Sequence, residues 1–300
     1  MEGLEEIISA LENIEIQNLS ENEEIQDWLN KITDPEFQLI ESFIGLLQEK
    51  IDDVAISTNI VKALRKFLHY KREAVSPQFR GNKDFLCALA DYLINTNKDD
   101  RCIEGFILFK ETYIDELFEL IITEPLVKLF FTSLSEIGEE SILNEIIRLL
   151  VNFNYSYCEN KADLSSNLVI IQYLEHDNSN LFMEILLKLI NVDNSKEELV
   201  LFLSTYINIM KASKTCGFYA NDLEIFINFA IKKLESTYTT EIKFYLLTCL
   251  EMITGFPEYH KNKYKSSYLE ELIDNYLYSN NTEDELKTIC KVIQENLENH

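Results

Sequence analysis

The sequence predicts an all-α protein, and three observations support that prediction. Only 4 prolines and 7 glycines occur among 300 residues, too few for the turns of an all-β chain. The apolar residues make up 46% of the chain and are mostly leucine, isoleucine and phenylalanine at helical spacing. Helix-start signals recur at short intervals, such as the capping box of Ser195 with Glu198. We therefore expect short packed helices in an α-solenoid of the armadillo or HEAT kind.

Apolar periodicity and turn residues divide the chain into short helical segments. A helix follows Asp34-Pro35, which places an N-cap residue ahead of proline at the first helical position. A second helix precedes Pro77 and Gly81. The remaining helices are predicted at 83–96, 101–121, 125–137, 140–154, 164–174, 179–192, 196–212, 220–236, 240–254, 266–278 and 283–298.

Two of these segments, 182–190 and 242–253, are apolar on almost every side. A surface helix keeps one polar face, so we expect neighbouring helices to cover these two on several sides. A row of central and outer helices is typical of an α-solenoid, although no crisp repeat period is visible. A compact helical bundle is the structural alternative. Since no linker rich in Pro, Gly or Ser interrupts the chain, we predict a single domain over residues 1–300, with an acidic helical segment at 1–60.

The formal net charge of −25 opposes binding to nucleic acid and to anionic membrane surfaces. Solubility is the simpler explanation of this acidity, and attraction of a basic partner is the alternative. The chain opens without the basic stretch of a secretory signal, and no apolar run is long enough to span a bilayer. We therefore expect a cytoplasmic protein with no membrane insertion.

No pattern of catalytic or metal-binding residues is apparent. The six cysteines lack CxxC spacing and are expected to be free thiols. The four histidines form no i, i+4 pair, and the chain has neither a glycine-rich phosphate loop nor a G-x-S-x-G motif. Cys216 is the one residue that resembles a nucleophile, but no nearby histidine supports it. We expect a protein that is not an enzyme, with no cofactor and no metal.

Four segments carry a resemblance to a known family. Leu149–Tyr157 ends a helix in an aromatic, then Asn154, then another aromatic. Phe182–Asn191 has a glutamate after its Phe and a terminal Leu-x-Asn. Phe218–Leu223 reads as an aromatic pair, a small residue and Asn-Asp-Leu, and Lys243–Lys265 contains Tyr245 and Pro257-Glu258-Tyr259. In order and spacing, these segments resemble the armadillo-like leucine-rich domain of the WISH/DIP/SPIN family across roughly residues 140–275. Val192 stands where that family usually has arginine, which puts any role of that arginine in doubt here.

The resemblance implies a non-enzymatic activator of the actin-related protein 2/3 complex. Such a protein would bind the complex directly and actin indirectly, at cortical actin sites and in endocytosis. It would promote linear filaments without a preformed mother filament. A generic armadillo-type adaptor with no actin role is the alternative. An enzyme with a helical fold is a third possibility, but no set of residues in the sequence supports it.

The residues that carry the resemblance also have plain structural explanations. Asn221 and Asp222 precede an apolar helix and suit its N-cap, and Asp222 suits the positive end of its dipole. Asn154 and Asn191 suit helix C-termini in left-handed geometry. We expect a mainly structural role for the motif residues Asn154, Asn191, Phe218, Tyr219, Asn221, Asp222 and Tyr245, with Phe218 and Tyr219 forming a hydrophobic staple. Nearby bases and aromatics expected to be exposed form the candidate partner-binding set: Lys232, Lys233, Lys243, Tyr259, Lys261, Lys263 and Tyr264.

Overall fold

The computed structural model describes residues 39–70, 79–80, 82–96, 102–113, 121–160, 163–192, 194–215, 217, 219–236, 239–280 and 282–298. Within these ranges the chain forms fourteen α-helices and one 3-10 turn, and no strand. The all-α prediction is therefore confirmed. Most of the acidic N-terminal segment, Phe218 and Cys216 lie outside the described residues.

The helices closely follow the segments predicted from periodicity. In chain order they are α1 (Leu39–Glu49), α2 (Val54–Tyr70), α3 (Lys83–Asn95), α4 (Cys102–Thr112), α5 (Glu124–Glu136), α6 (Glu140–Asn160), α7 (Leu168–Glu175), α8 (Ser179–Asn191), α9 (Lys196–Ser213), α10 (Ala220–Leu234), α11 (Thr240–Gly255), α12 (Pro257–Asn262), α13 (Ser266–Tyr278) and α14 (Asp284–Glu298). The short helix α12 was not predicted, and α6 continues past the expected end at Asn154. Helix α4 ends at Thr112, inside the predicted segment 101–121, and α7 begins at Leu168 after a 3-10 turn at Leu164–Ser166.

Helix starts follow local sequence chemistry. The predicted capping box of α9 is present: the Glu198 amide donates to Ser195 Oγ, and the Ser195 amide donates to the Glu198 carboxylate. Asn167 caps α7 by accepting from the amide of Val169 at 3.1 Å. Pro125 lies in the first turn of α5, where a missing N–H costs nothing.

The described helices group into two compact units, residues 1–149 and 150–300. In the first unit α3 packs against α1, α4 and α5, and α2 packs against α4. Arg65 on α2 pairs with Glu104 on α4. Phe106 and Phe130 meet edge to face with ring centres 5.0 Å apart, in the apolar interior of this unit.

In the second unit α11 lies among α9, α10, α12 and α14. Six of its apolar side chains are fully buried: Ile242, Leu246, Leu247, Cys249, Leu250 and Ile253. Helix α8 packs against α7, α9 and α10, and its apolar residues from Phe182 to Ile190 are all buried. The prediction that these two helices are covered on several sides is confirmed.

Gly105 marks a close approach of α4 to α3. A Cβ atom at this position would lie 2.7 Å from Leu93 Cδ2 and 2.8 Å from Tyr92 Cε1. Gly45, in the interior of α1, has no such neighbour within 4 Å. The two helical glycines therefore separate the effect of packing from the effect of helix propensity.

We predict opposite effects for alanine at these two positions. Gly105→Ala should lower the free energy of unfolding by about 1–3 kcal/mol, because the new methyl group overpacks the contact between α3 and α4. Gly45→Ala should raise it by about 0.5–1 kcal/mol, because alanine restricts the unfolded chain and favours the helix. Urea denaturation followed by circular dichroism measures both. Equal effects of one sign would contradict the close approach at Gly105.

Candidate protein-binding groove

A groove of about 580 Å³ lies between α8 and the start of α10. Eleven residues line it: Asn180, Leu181, Met183, Glu184, Leu187, Lys188, Asn191, Gly217, Tyr219, Asp222 and Ile225. Two of the four segments that carry the family resemblance, Phe182–Asn191 and Phe218–Leu223, supply most of these residues. We refer to this set as the α8–α10 groove.

Apolar side chains line the groove from both walls: Leu181, Met183 and Leu187 from α8, and Ile225 from α10. Gly217, which also lines the groove, has φ of 69°, a left-handed conformation that favours glycine. A Cβ atom there would lie 3.2 Å from Met183 Cε and 3.5 Å from Tyr173 Oη, so a larger residue would also crowd α8. Glycine at this position therefore lets the turn before α10 pass close to α8 without strain.

Large apolar side chains remain exposed at the groove. Tyr219 is 66% exposed and Ile225 is 48% exposed, although both belong to a unit with a well-packed interior. Val192, the residue that follows α8, is 50% exposed. Exposed apolar side chains next to a concave site are typical of protein-interaction surfaces.

Three charged side chains belong to the groove. Lys188 Nζ and Glu184 Oε1 form an i, i+4 ion pair at 3.1 Å on α8, and both side chains are more than half exposed. Asp222 lies in the first turn of α10, where its carboxylate favours the positive end of the helix dipole. Glu184 and Lys188 offset each other, so the groove keeps one net negative charge from Asp222.

The structure corrects several expectations for the motif residues. The N-cap of α10 is Tyr219, which leaves Asn221 and Asp222 inside the first turn, so their expected N-cap role is wrong. The exposure of Tyr219 contradicts its expected part in a hydrophobic staple. Asn191 does end α8, and its Nδ2 donates to the Leu187 carbonyl at 2.9 Å. Its backbone is not left-handed, however, because the non-glycine residues with positive φ among those described are Lys214, Lys263 and Lys265.

Asn154 lies in the interior of α6 rather than at its end, so its expected C-terminal role is also wrong. Its side chain is fully buried. Asn154 Nδ2 donates to Thr205 Oγ1 at 3.0 Å, and Asn154 Oδ1 accepts from Asn167 Nδ2 at 3.0 Å. Asn208 Nδ2 approaches the same oxygen at 3.5 Å. One buried amide thus joins α6 to α9 and to the N-cap of α7.

Cys158 lies one helical turn from Asn154 and accepts from Asn208 Nδ2 at 3.2 Å. Burial raises the pKa of the Cys158 thiol, and hydrogen bonds from Asn167 and Asn208 act in the opposite direction. Burial also raises the pKa of the Cys249 thiol. These two cysteines are free thiols held in the protonated form, which is the poor nucleophile.

The candidate partner-binding residues of the second unit lie on α10, α11 and α12 and in the turn before α13. Lys232, Lys261 and Lys263 are exposed. The Lys233 ammonium lies 5.5 Å from the Phe229 ring centre, and that of Lys243 lies 5.6 Å from Tyr276, distances that suit cation–π contacts.

Tyr259, on α12, departs from the expectation of exposure. Its side chain is only 1% exposed, so that expectation is wrong. Its hydroxyl donates to the Tyr264 carbonyl at 3.2 Å, and the Tyr264 hydroxyl accepts from Asn228 Nδ2 at 2.8 Å. Tyr259 therefore stabilises the turn before α13. Tyr245, the last of the motif residues, is half-buried and meets Phe244 edge to face with ring centres 5.7 Å apart.

Sequence reasoning missed most of the groove. Leu181, Glu184, Lys188 and Ile225 were not candidate site residues, although α8 itself was singled out as apolar. Ile225 is the one of these residues that the sequence could have marked as a site residue. It is an aliphatic residue of α10 that lies outside the stripe of buried positions on that helix. A periodic pattern cannot show that α8 lies beside α10 and forms the other wall of the groove.

No helix within the described ranges is both long enough and apolar enough to cross a bilayer. The same ranges hold no cluster of three or more His, Cys, Asp or Glu side chains that could bind a metal ion.

We predict a large loss of stability when Asn154 is replaced. Asn154→Leu should lower the free energy of unfolding by about 2–4 kcal/mol, because each buried polar partner left without a hydrogen bond costs about 1–3 kcal/mol. Asn191→Ala is the matched control, since it removes one hydrogen bond at an exposed helix end and should cost less than about 1 kcal/mol. Urea denaturation compares them, and equal losses would contradict the network.

Comparison with known proteins gives one match and one negative result. The model of the SPIN90/Ldb17 leucine-rich domain matches residues 139–269, a segment that contains Asn154 and every residue of the α8–α10 groove. Comparison with curated protein sequences finds no match. The resemblance seen in the sequence is therefore confirmed for this segment: residues 139–269 match the SPIN90/Ldb17 leucine-rich domain.

Proposed function

We propose that this protein is a non-enzymatic activator of the actin-related protein 2/3 complex that starts linear actin filaments without a preformed mother filament. The observation that carries the proposal is the family match over residues 139–269. That family of domains is linked to actin-related functions. The direct partner would be the complex, with actin reached through it, at cortical actin sites and in endocytosis.

The proposed mechanism is a shift in population. An activator that binds the filament-like arrangement of the complex more tightly than the inactive one favours it by the difference in binding free energy. Each tenfold difference in affinity contributes about 1.4 kcal/mol to that shift. The mechanism requires neither a catalytic group nor a cofactor, only a surface that keeps its shape.

The second unit supports this mechanism because it combines rigidity with an exposed apolar surface. The buried amide of Asn154 fixes α6, α7 and α9 together. Helix α8 packs on two of these helices and forms one wall of the groove. Binding to such a preorganised surface costs less conformational entropy than binding to one that must first become ordered.

The first prediction concerns actin assembly. Pyrene-labelled actin with the purified actin-related protein 2/3 complex, this protein and no preformed filaments should assemble faster than without this protein, and microscopy should show unbranched filaments. Omitting the complex is the control and should remove the acceleration. No acceleration together with no capture of the complex in a pull-down would contradict the proposal and leave an adaptor with a different partner.

The second prediction concerns the exposed lysines of the candidate partner-binding set. The double variant Lys232→Glu and Lys261→Glu should slow complex-dependent assembly by about 3–10-fold. The reason is that it replaces positive charges by negative ones on the proposed docking surface, where they would repel the partner surface that the lysines attract. Its thermal stability should change by less than about 0.5 kcal/mol, because both side chains are exposed. The matched control is the double variant Lys128→Glu on α5 and Lys291→Glu on α14, two exposed lysines outside the candidate set. Unchanged assembly in the first double variant would remove Lys232 and Lys261 from the contact surface.

A further inference from the structure

We propose that the α8–α10 groove binds an amphipathic helix of a partner protein, one that presents aliphatic anchors flanked by lysine or arginine. This inference names the contact site for the proposed function, and it rests on that function only for the identity of the partner. Its physical basis is the shape, the apolar surface and the charge of the groove.

The shape of the groove suits a helical occupant. Its walls are α8 and α10, which contain 13 and 15 residues and are therefore each about 20 Å long at 1.5 Å per residue. A groove between two helices receives the apolar face of a third, with anchor residues at i, i+3 or i+4, and i+7. Tyr219 and Ile225 line the groove yet stay largely exposed, and Val192, the residue after α8, is exposed as well. An extended partner can cover these side chains, whereas a small molecule in the cleft would leave them in water.

The charge of the groove selects the kind of helix. Glu184 already pairs with Lys188, while Asp222 forms no ion pair among the described residues. A lysine or arginine beside the aliphatic anchors would pair with Asp222, and an acidic residue there would be repelled. The net charge of −25 adds long-range attraction for a basic segment.

The same charge argues against a second copy of this chain as the occupant. Two molecules that each carry −25 repel one another, and their grooves would bring Asp222 toward Asp222. Exposed apolar surface can persist in a monomer because this repulsion opposes self-association.

A pair of designed peptides tests the groove without assuming any partner. Each peptide has about 16 residues, close to the length of α10, with leucines at i, i+4 and i+7. One carries lysines beside the leucines and the other carries glutamates. Fluorescence anisotropy with the full chain should show about tenfold tighter binding of the lysine peptide. Equal affinity of the two peptides, or no binding of either, would overturn the proposal.

Variants locate the binding. Ile225→Ser should weaken binding of the lysine peptide by about tenfold. Asp222→Asn should reduce the preference for the lysine peptide over the glutamate peptide by about threefold. The matched controls are Leu174→Ser, which removes a 52% exposed leucine on α7, and Asp284→Asn, which alters a first-turn aspartate on α14. Both controls should bind as wild type does. Circular dichroism checks that each variant is folded, and Asp222→Asn keeps the test valid if Ile225→Ser does not fold. Equal losses in groove and control variants would overturn the proposal.

A pull-down of the actin-related protein 2/3 complex with the same variants separates the two proposals. Retention of the complex by wild type and its loss from the folded groove variants, but not from the controls, would support both. Capture that is unchanged in the groove variants would overturn the groove as the contact site and leave the proposed function standing. Selective binding of the lysine peptide at the groove, with no capture of the complex by wild type, would support the groove and contradict the proposed function.

Discussion

The amide of Asn154 is the interaction on which the second unit depends. Its nitrogen donates to Thr205 on α9, and its oxygen accepts from Asn167, the residue that caps α7. Buried amides require partners, so a shift of α7 or α9 relative to α6 would leave a polar atom without a hydrogen bond. Since α8 packs against both α7 and α9, the network also sets the position of one wall of the groove. A residue with no exposed atom thereby controls the geometry of an exposed surface.

The other wall has a different source of order. Helix α10 packs against the central helix α11, which makes its contacts through fully buried aliphatic side chains. Gly217 allows the turn before α10 to run close to Met183 on α8. Apolar packing therefore holds α10, whereas hydrogen bonds orient the helices around α8. Apolar packing is tolerant of small shifts, and a polar network is directional, so the combination gives both stability and a defined groove.

The sequence predicted the helices well and the surfaces poorly, for physical reasons. Helix starts such as the capping box of Ser195 depend on neighbours in the chain, so they are visible in the sequence. Whether Tyr259 is buried depends on the turn that follows α12, and no local pattern in the sequence marks Tyr259 as buried. Asn221 and Asp222 are good N-cap residues, yet α10 starts earlier, with the Leu223 amide donating to the Tyr219 carbonyl at 2.9 Å. The position of Ile225 outside the apolar stripe of α10 can be read from the sequence, but only the neighbouring helix shows that Ile225 faces a groove.

Rigidity and exposure have to coexist for a surface that selects one arrangement of its partner. An adaptable surface would bind several arrangements with similar affinity and would shift no population between them. In this domain Ile225 lies on α10 and Tyr219 at its N-cap, and α10 packs against α8 and α11, an arrangement that suits a surface formed before a partner binds. The net charge of −25 opposes self-association through such residues, and in the proposed groove complex Asp222 would add a preference for a basic neighbour. Affinity would then come from the anchors, and orientation from the single carboxylate beside them.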